Sequence, residues 1–240
     1  MSQSEFATPS VPVVDIRGLC FRWSPASHYE LSVPEIQVQP GQTQFVSGPS
    51  GSGKSTLLAL LAGLVRPQAG SIRVAGECLS SLRRGQRDRF RANHLGIIFQ
   101  QFNLVPYLSP LENVLLPCRF SRHRRDRAGA SPREAALELM ADFGLAVETL
   151  PRDVRQLSVG QQQRVAAARA LIGDPELILA DEPTSALDTE HRDRFLERLL
   201  SQAQRHNGTV VFVSHDQGLA DRFHVRRDIR DWWQEVVTDD

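Results

Sequence analysis

Lysine is almost missing from this sequence: Lys54 is the only one, and every other basic position is arginine. A side chain avoided elsewhere and kept once marks a place where a compact point charge serves better than a planar guanidinium. Cysteine is scarce as well. Cys20, Cys78 and Cys118 stand far apart at no metal-ligand or redox spacing, and read as reduced thiols of a cytosolic protein. No apolar run approaches the ~18–20 residues that span a bilayer. Met1–Ser10 is polar and lacks the basic-then-apolar layout of a leader, and is expected to be a flexible N-terminus. A membrane process served by this chain would draw its membrane part from another protein. Formal net charge is zero, so the totals favour neither nucleic acid nor an acidic substrate.

What is present fits one sizeable α/β domain. At 240 residues the chain can bury a substantial core, with room for a smaller lobe. Thr43–Ser47, Ser71–Ala75, Glu176–Ala180 and Thr209–Val213 are apolar runs of strand length. They alternate with helical patterns, which predicts a largely parallel sheet. Leu57, Leu58, Leu60, Leu61, Leu64 and Val65 are apolar on nearly all sides, as in a buried helix ended by Pro67 and Gly70. Between Gln101 and Gln163 helices and loops replace strands. Arg119–Ala130 reads as a polar loop with five arginines. Ser131-Pro132-Arg133-Glu134 opens a helix through Phe143, Gly160–Ile172 is an alanine-rich helix, and Asp188–Leu200 is a third.

The glycine-rich turn at Gly48-Pro-Ser50-Gly51-Ser52-Gly53-Lys54-Ser55-Thr56 satisfies G-x4-G-K-[ST] in full, after a strand and before a helix. Glycines let the backbone wrap phosphates with its N–H groups inward, and the helix N-terminus adds partial positive charge. Lys54 is placed for the β- and γ-phosphates, and the Ser55 hydroxyl for Mg²⁺. Alone, this loop indicates a nucleoside triphosphate and nothing narrower. Two further strands end in polar groups: one in Asp181-Glu182, the other in Ser214-His215-Asp216. Ligands of open parallel sheets sit beyond the carboxyl ends of the strands. Asp181 is therefore the candidate Mg²⁺ ligand and Glu182 the candidate base or orienter of the attacking water. His215 is a candidate for touching the γ-phosphate or for holding Glu182. The competing reading of each is a polar strand end meeting solvent, which weighs most on His215.

These residues point to a family. Leu157-Ser158-Val159-Gly160-Gln161 resembles the Leu-Ser-Gly-Gly-Gln signature of ATP-binding cassette (ABC) ATPases, upstream of Asp181-Glu182 as in that family. Ser185-Ala-Leu-Asp188 resembles its D-loop, Phe99-Gln100 its Q-loop, and His215 its switch histidine. Trp23 resembles the aromatic that stacks on adenine. P-loop kinases and small GTPases lack the signature. The resemblance implies a P-loop NTPase (RecA-like) core with a mostly parallel sheet, an N-terminal antiparallel β subdomain and an α-helical subdomain. Residues 11–240 would form one domain, with 11–100 and 164–240 as the core and 101–163 as the helical part. It further implies ATP and Mg²⁺ as ligands, with Ser55, Gln100 and Asp181 toward the metal, and Glu182, His215 and Gln100 in catalysis. Two chains would sandwich two ATP molecules head to tail. Ser158, Gly160 and Gln161 of one would face the γ-phosphate held by the other, while Asp188 would communicate across the interface. Asp188 is equally suited to cap the following helix, and the two roles are compatible. Val159 stands where the family usually has glycine, and stiffens that turn.

The stretch Gly96–Val114 is most similar to the branch serving lipoprotein release, macrolide-type export and cell division. This implies an integral-membrane permease as partner, a homodimer or a pair with a related ATPase, no nucleic acid, and a location at the cytoplasmic face of the inner membrane. A soluble cassette of the DNA-repair or translation type, or a non-catalytic structural cassette, is the alternative. The arginines of 119–127, and Arg83, Arg84, Arg87, Arg89 and Arg91, read chiefly as solvated surface, with anionic lipid headgroups as the other reading for both groups. Arg226–Asp240 does not follow the glycine-containing hairpin that usually ends such domains. Trp232 and Trp233 are expected to pack on the core, or else to cover a partner.

Overall fold

The computed structural model describes residues 11–24, 29–146, 153–185 and 187–235; the expectation for 1–10 lies outside them. Ten strands are described: β1 Val14–Phe21, β2 Tyr29–Val38, β3 Thr43–Ser47, β4 Ala69–Val74, β5 Glu77–Cys78, β6 Leu95–Ile98, β7 Leu177–Asp181, β8 Thr209–Ser214, β9 Val225–Asp228 and β10 Trp233–Glu235. The α-helices are α1 Lys54–Leu61, α2 Arg84–His94, α3 Pro110–Phe120, α4 Arg122–Arg127, α5 Pro132–Asp142, α6 Val159–Leu171 and α7 Thr189–Arg205.

Strand β8 shows why the molecule has two cores. Its residues are all buried, and a strand presents successive side chains to opposite faces. Val210 and Phe212 accordingly join one hydrophobic cluster, while Val211 and Val213 join the other. The neighbouring strands divide in the same way, so the sheet β6-β7-β8-β3-β9 is covered on both faces. All its pairings are parallel, as expected for strands that read as continuous apolar runs. One face carries Ala136 and Met140 of α5, Val165 and Ala168 of α6, and Phe195 and Leu199 of α7. The other carries α1, which packs against β4, β7 and β8; a helix between two sheets has no polar face to keep. It is shorter than its apolar run, because Gly63 (φ +62°) turns the chain before Leu64, which is 51% exposed.

The second sheet, β10-β2-β1-β4-β5, is antiparallel in every pairing. Its β1 buries Val14 and Ile16, then Leu19 and Phe21. The odd step in that alternation is taken at Gly18 (φ +56°), where the β1–β4 register shifts between Arg17 and Cys20. A bulge of this kind keeps all four apolar side chains on the core side.

The arginine-rich stretch departs from expectation, since residues 122–127 are helical rather than loop. Ser121 caps α4 by accepting from Arg124 N at 3.0 Å, and Arg124 turns inward to 1% exposure. Its guanidinium donates to Ile172 O at 2.6 Å, Ala170 O at 2.8 Å and Leu95 O at 2.9 Å. These carbonyls at the end of α6 and the start of β6 would otherwise be buried and unpaired. Burial pushes the Arg124 side chain down to about 10, still charged at neutral pH. Helix α2 was also not foreseen, and its arginines are not merely solvated: Arg91 donates to Ala62 O and Gly63 O, where α1 ends. Replacing Arg124 by Met orphans three buried carbonyls, so Arg124→Met lowers stability by about 3 kcal/mol or more. A urea unfolding midpoint equal to wild type would contradict this reading of the arginine.

Candidate functional site

Register alone brings the phosphate loop, the acidic pair and the histidine to one edge. Ser47 of β3 pairs with Ser214 of β8, and Val213 pairs with Asp181 of β7. Gly48, His215 and Glu182 each follow directly on that row. Gln100 lies on the same edge, exposed, just past the Ile98–Ala180 pair.

Within the loop, Gly51 (φ +77°) and Gly53 (φ +87°) hold the left-handed conformations that the wrap requires. Gly53 enters α1 with no side-chain cap, so the first N–H groups of that helix stay available to an anion. Lys54 is buried, its ammonium donating to Gly48 O at 2.8 Å and Pro49 O at 2.9 Å. It also lies 3.3 Å from Glu182 Oε1. The other carboxylate oxygen of Glu182 accepts from His215 Nδ1 at 2.7 Å and from Ser214 Oγ at 3.4 Å. Glu182 is 9% exposed and sits at φ +45°, uncommon for a residue with a side chain. Such backbone strain gathers at functional sites, where surrounding bonds over-determine it. Here its N–H donates to Val213 O at 3.0 Å.

Among the described residues, two buried oxygens in this region have no hydrogen-bond partner: Asp181 Oδ1 and Ser52 Oγ. Burial raises the Asp181 carboxyl above the usual carboxylate range, the neighbouring Glu182 charge raises it further, and the Ser55 hydroxyl and Lys54 pull it back. A carboxyl group with an unused oxygen beside a serine hydroxyl suits a hard divalent cation such as Mg²⁺. At the rim, Trp23 is 64% exposed and set edge-on to Phe21 at 5.2 Å. Its Nε1 donates to Thr56 Oγ1 at 3.0 Å, which places an open indole face beside the loop.

The signature residues are not part of this cluster. Ser158 caps α6, accepting from Gln161 N at 3.3 Å, while Gln161 Oε1 accepts from Ser158 N at 2.9 Å. Among the described residues no hydrogen bond or ion pair links Ser158, Gly160 or Gln161 to the phosphate loop. Ser158 and Val159 are exposed, Val159 by 50%. Asp188 caps α7 through His191 N at 3.0 Å.

Trp233 is the site neighbour that sequence reasoning missed. Trp232 is buried in the core, as expected. Trp233 packs against the same core and also lies on the phosphate loop: its Nε1 donates to Ser52 O, and a Cβ added at Gly53 would overlap its Cζ2. Strand β10 holds it there by pairing Trp233 with Leu31 of β2. Nothing in the local pattern announced this, because the pairing joins the two ends of the chain.

A nucleotide-binding loop, a strand-end acidic pair and an outward-facing helix N-terminus define an ATP-binding cassette. The chain belongs to the ABC transporter family, whose model matches residues 31–185, and it is an ABC ATPase. It is 40% identical over 219 residues to the uncharacterized ABC transporter ATP-binding protein YbbA of Escherichia coli K12, covering 89% of this chain and 92% of YbbA. It is also 40% identical over 220 residues to the macrolide export ATP-binding/permease protein MacB of Rhodopseudomonas palustris, covering 91% of this chain but 33% of MacB. The dimeric post-hydrolysis structure of the ATP-binding cassette MJ0796, bound to ADP and Pi, superposes with a TM-score of 0.76 at 30% identity. That match covers 94% of this chain and all of the other. No helix among the described residues is long and apolar enough to cross a membrane.

Gly51 and Gly53 separate two costs. Gly51 meets nothing within 4 Å, so Gly51→Ala pays only for left-handed backbone, about 1 kcal/mol. Gly53→Ala pays that and the Trp233 overlap. Unfolding midpoints should show Gly53→Ala as the more damaging, with the excess removed by adding Trp233→Ala; equal losses would place Trp233 elsewhere.

Proposed function

We propose that this chain is the motor subunit of a transporter that pairs head to tail with a second cassette around two ATP molecules and drives a separate membrane permease, in export or lipoprotein release. One observation carries the catalytic part of that reading. Glu182 is held at the strand ends between Lys54 and His215, one carboxylate oxygen toward each.

In this mechanism the loop N–H groups and Lys54 bind the β- and γ-phosphates of ATP, and Trp23 stacks on the adenine. Asp181 and Ser55, with Gln100 nearby, are the residues to hold Mg²⁺, which when bound neutralises charge on the phosphate oxygens. Glu182 accepts a proton from the attacking water as the bond from water oxygen to γ-phosphorus forms and the bond to the β-bridging oxygen breaks. His215 fixes the carboxylate through its Nδ1–H, so that one oxygen stays aimed at the reaction. Ser158 and the Gly160 N–H of a second cassette complete the site. Their exposure at the start of α6 supports that assignment, because a helix N-terminus offers unpaired donors to an anion. The Val159 side chain is exposed at the same end, so it meets the partner rather than its own core.

Support for pairing comes from MJ0796, described as a dimer in two structures, and support for export from the MacB name. Glu182→Gln keeps the size and one hydrogen-bond acceptor but removes the base. Steady-state ATP turnover of that variant should fall by about 10²-fold or more, while ATP binding and ATP-dependent dimer formation persist. Turnover at the wild-type rate would remove Glu182 from the role of base.

A further inference from the structure

At the opposite ends of β6 and β7 from the phosphate loop, three metal-ligating side chains converge. His94 ends α2 directly before Leu95, and Glu176 directly precedes Leu177; Leu95 and Leu177 are a registered pair of the parallel sheet. His123 comes from α4. His94 Nδ1 lies 3.1 Å from Glu176 Oε2, and His123 Nε2 lies 3.5 Å from Glu176 Oε1. One ligand atom from each of the three residues falls within 4.8 Å of the other two. The imidazole rings are 5.1 Å apart, and His94 rests on Phe90 at 4.9 Å.

These separations suit a tetrahedral ion. Zinc held by nitrogen and oxygen at roughly 2.0–2.1 Å places its ligands roughly 3.3 Å from one another, and the His94 and His123 separations, one to each oxygen of Glu176, lie close to that value. The ligand set of two imidazoles and one carboxylate matches borderline first-row cations and not Mg²⁺ or Ca²⁺. His123 Nε2 is itself buried and, among the described residues, makes no hydrogen bond. A buried nitrogen left in that condition costs stability unless something ligates it.

The surrounding charges are Arg127, Arg124 and the carboxylate. Arg127 donates to Glu176 Oε1 at 2.7 Å and competes for that oxygen, but its half-exposed side chain has solvent to turn into. The Arg124 guanidinium is committed to three backbone carbonyls.

We propose that His94, His123 and Glu176 form a binding site for a zinc-type divalent ion, with water at the fourth position. The ion fastens α2 and the arginine-rich α4 to the start of β7. It lies at the far end of the sheet from the residues of ATP hydrolysis, and stabilises the fold without taking part in that reaction.

The test is titration of the chelator-treated full chain with Zn²⁺ by calorimetry, with Co²⁺ as an optical probe. Wild type should bind one equivalent more than His123→Gln and than His94→Gln, with micromolar or tighter affinity and a rise in melting temperature. The cobalt form should show the intense visible bands of tetrahedral coordination, absent from both variants. Both variants should keep wild-type ATP turnover. Arg127→Gln, which frees Glu176 Oε1, should bind Zn²⁺ severalfold more tightly. Equal Zn²⁺ stoichiometry in wild type and His123→Gln, identical cobalt spectra, or unchanged affinity in Arg127→Gln would each overturn the proposal.

Discussion

The buried ion pair between Lys54 and Glu182 is the constraint around which the nucleotide site is arranged. Removing two charges from water is costly, and their attraction repays it only when further hydrogen bonds satisfy the remaining donors and acceptors. Lys54 has those in the carbonyls of Gly48 and Pro49, and Glu182 in His215 and Ser214. The pair thus ties the loop after β3 to the turn after β7 across the intervening β8. Glu182 accepts left-handed backbone to reach it. A group held so firmly can present one oxygen in a constant direction, which is what proton transfer from a bound water requires.

The rest of the fold keeps that geometry from drifting. Both faces of the parallel sheet are covered, so the register that aligns the three strand ends is specified by burial on each side. The outer side of the phosphate loop is backed by Trp233, which reaches it because β10 pairs with β2. One rim carries Trp23 on Thr56. The loop is therefore gripped from the antiparallel sheet as well as from the parallel one, and Gly53 is needed for closeness to the Trp233 indole as well as for the turn into α1.

Much of this was legible in residue order. Asp181, Glu182 and His215 each stand at the end of an apolar strand, Lys54 closes the loop that follows another, and a parallel sheet brings strand ends to one edge whatever the details of pairing. The signature at Ser158 was readable as a motif, and its capping box with Gln161 is local chemistry. Less local features stayed hidden. Arg124 reads as one more surface arginine until its three carbonyl partners are seen, and these come from residues 95, 170 and 172. Trp233 meets Ser52 across 181 positions. The convergence of His94, His123 and Glu176 likewise depends on the pairing of β6 with β7. In each case the missing information was tertiary.

The proposed catalytic site is divided between two chains: Lys54, Glu182 and His215 from one, Ser158 from the other. Mixing two inactive variants tests this directly. Ser158→Asp retains the helix cap but sets a carboxylate against phosphate, and Lys54→Ala removes the ammonium. In a mixed dimer, one site combines the intact loop of the first variant with the intact signature of the second. Steady-state ATP hydrolysis by the mixture, compared with each variant alone, should therefore recover in part. A mixture as inactive as its components would contradict a site shared between chains.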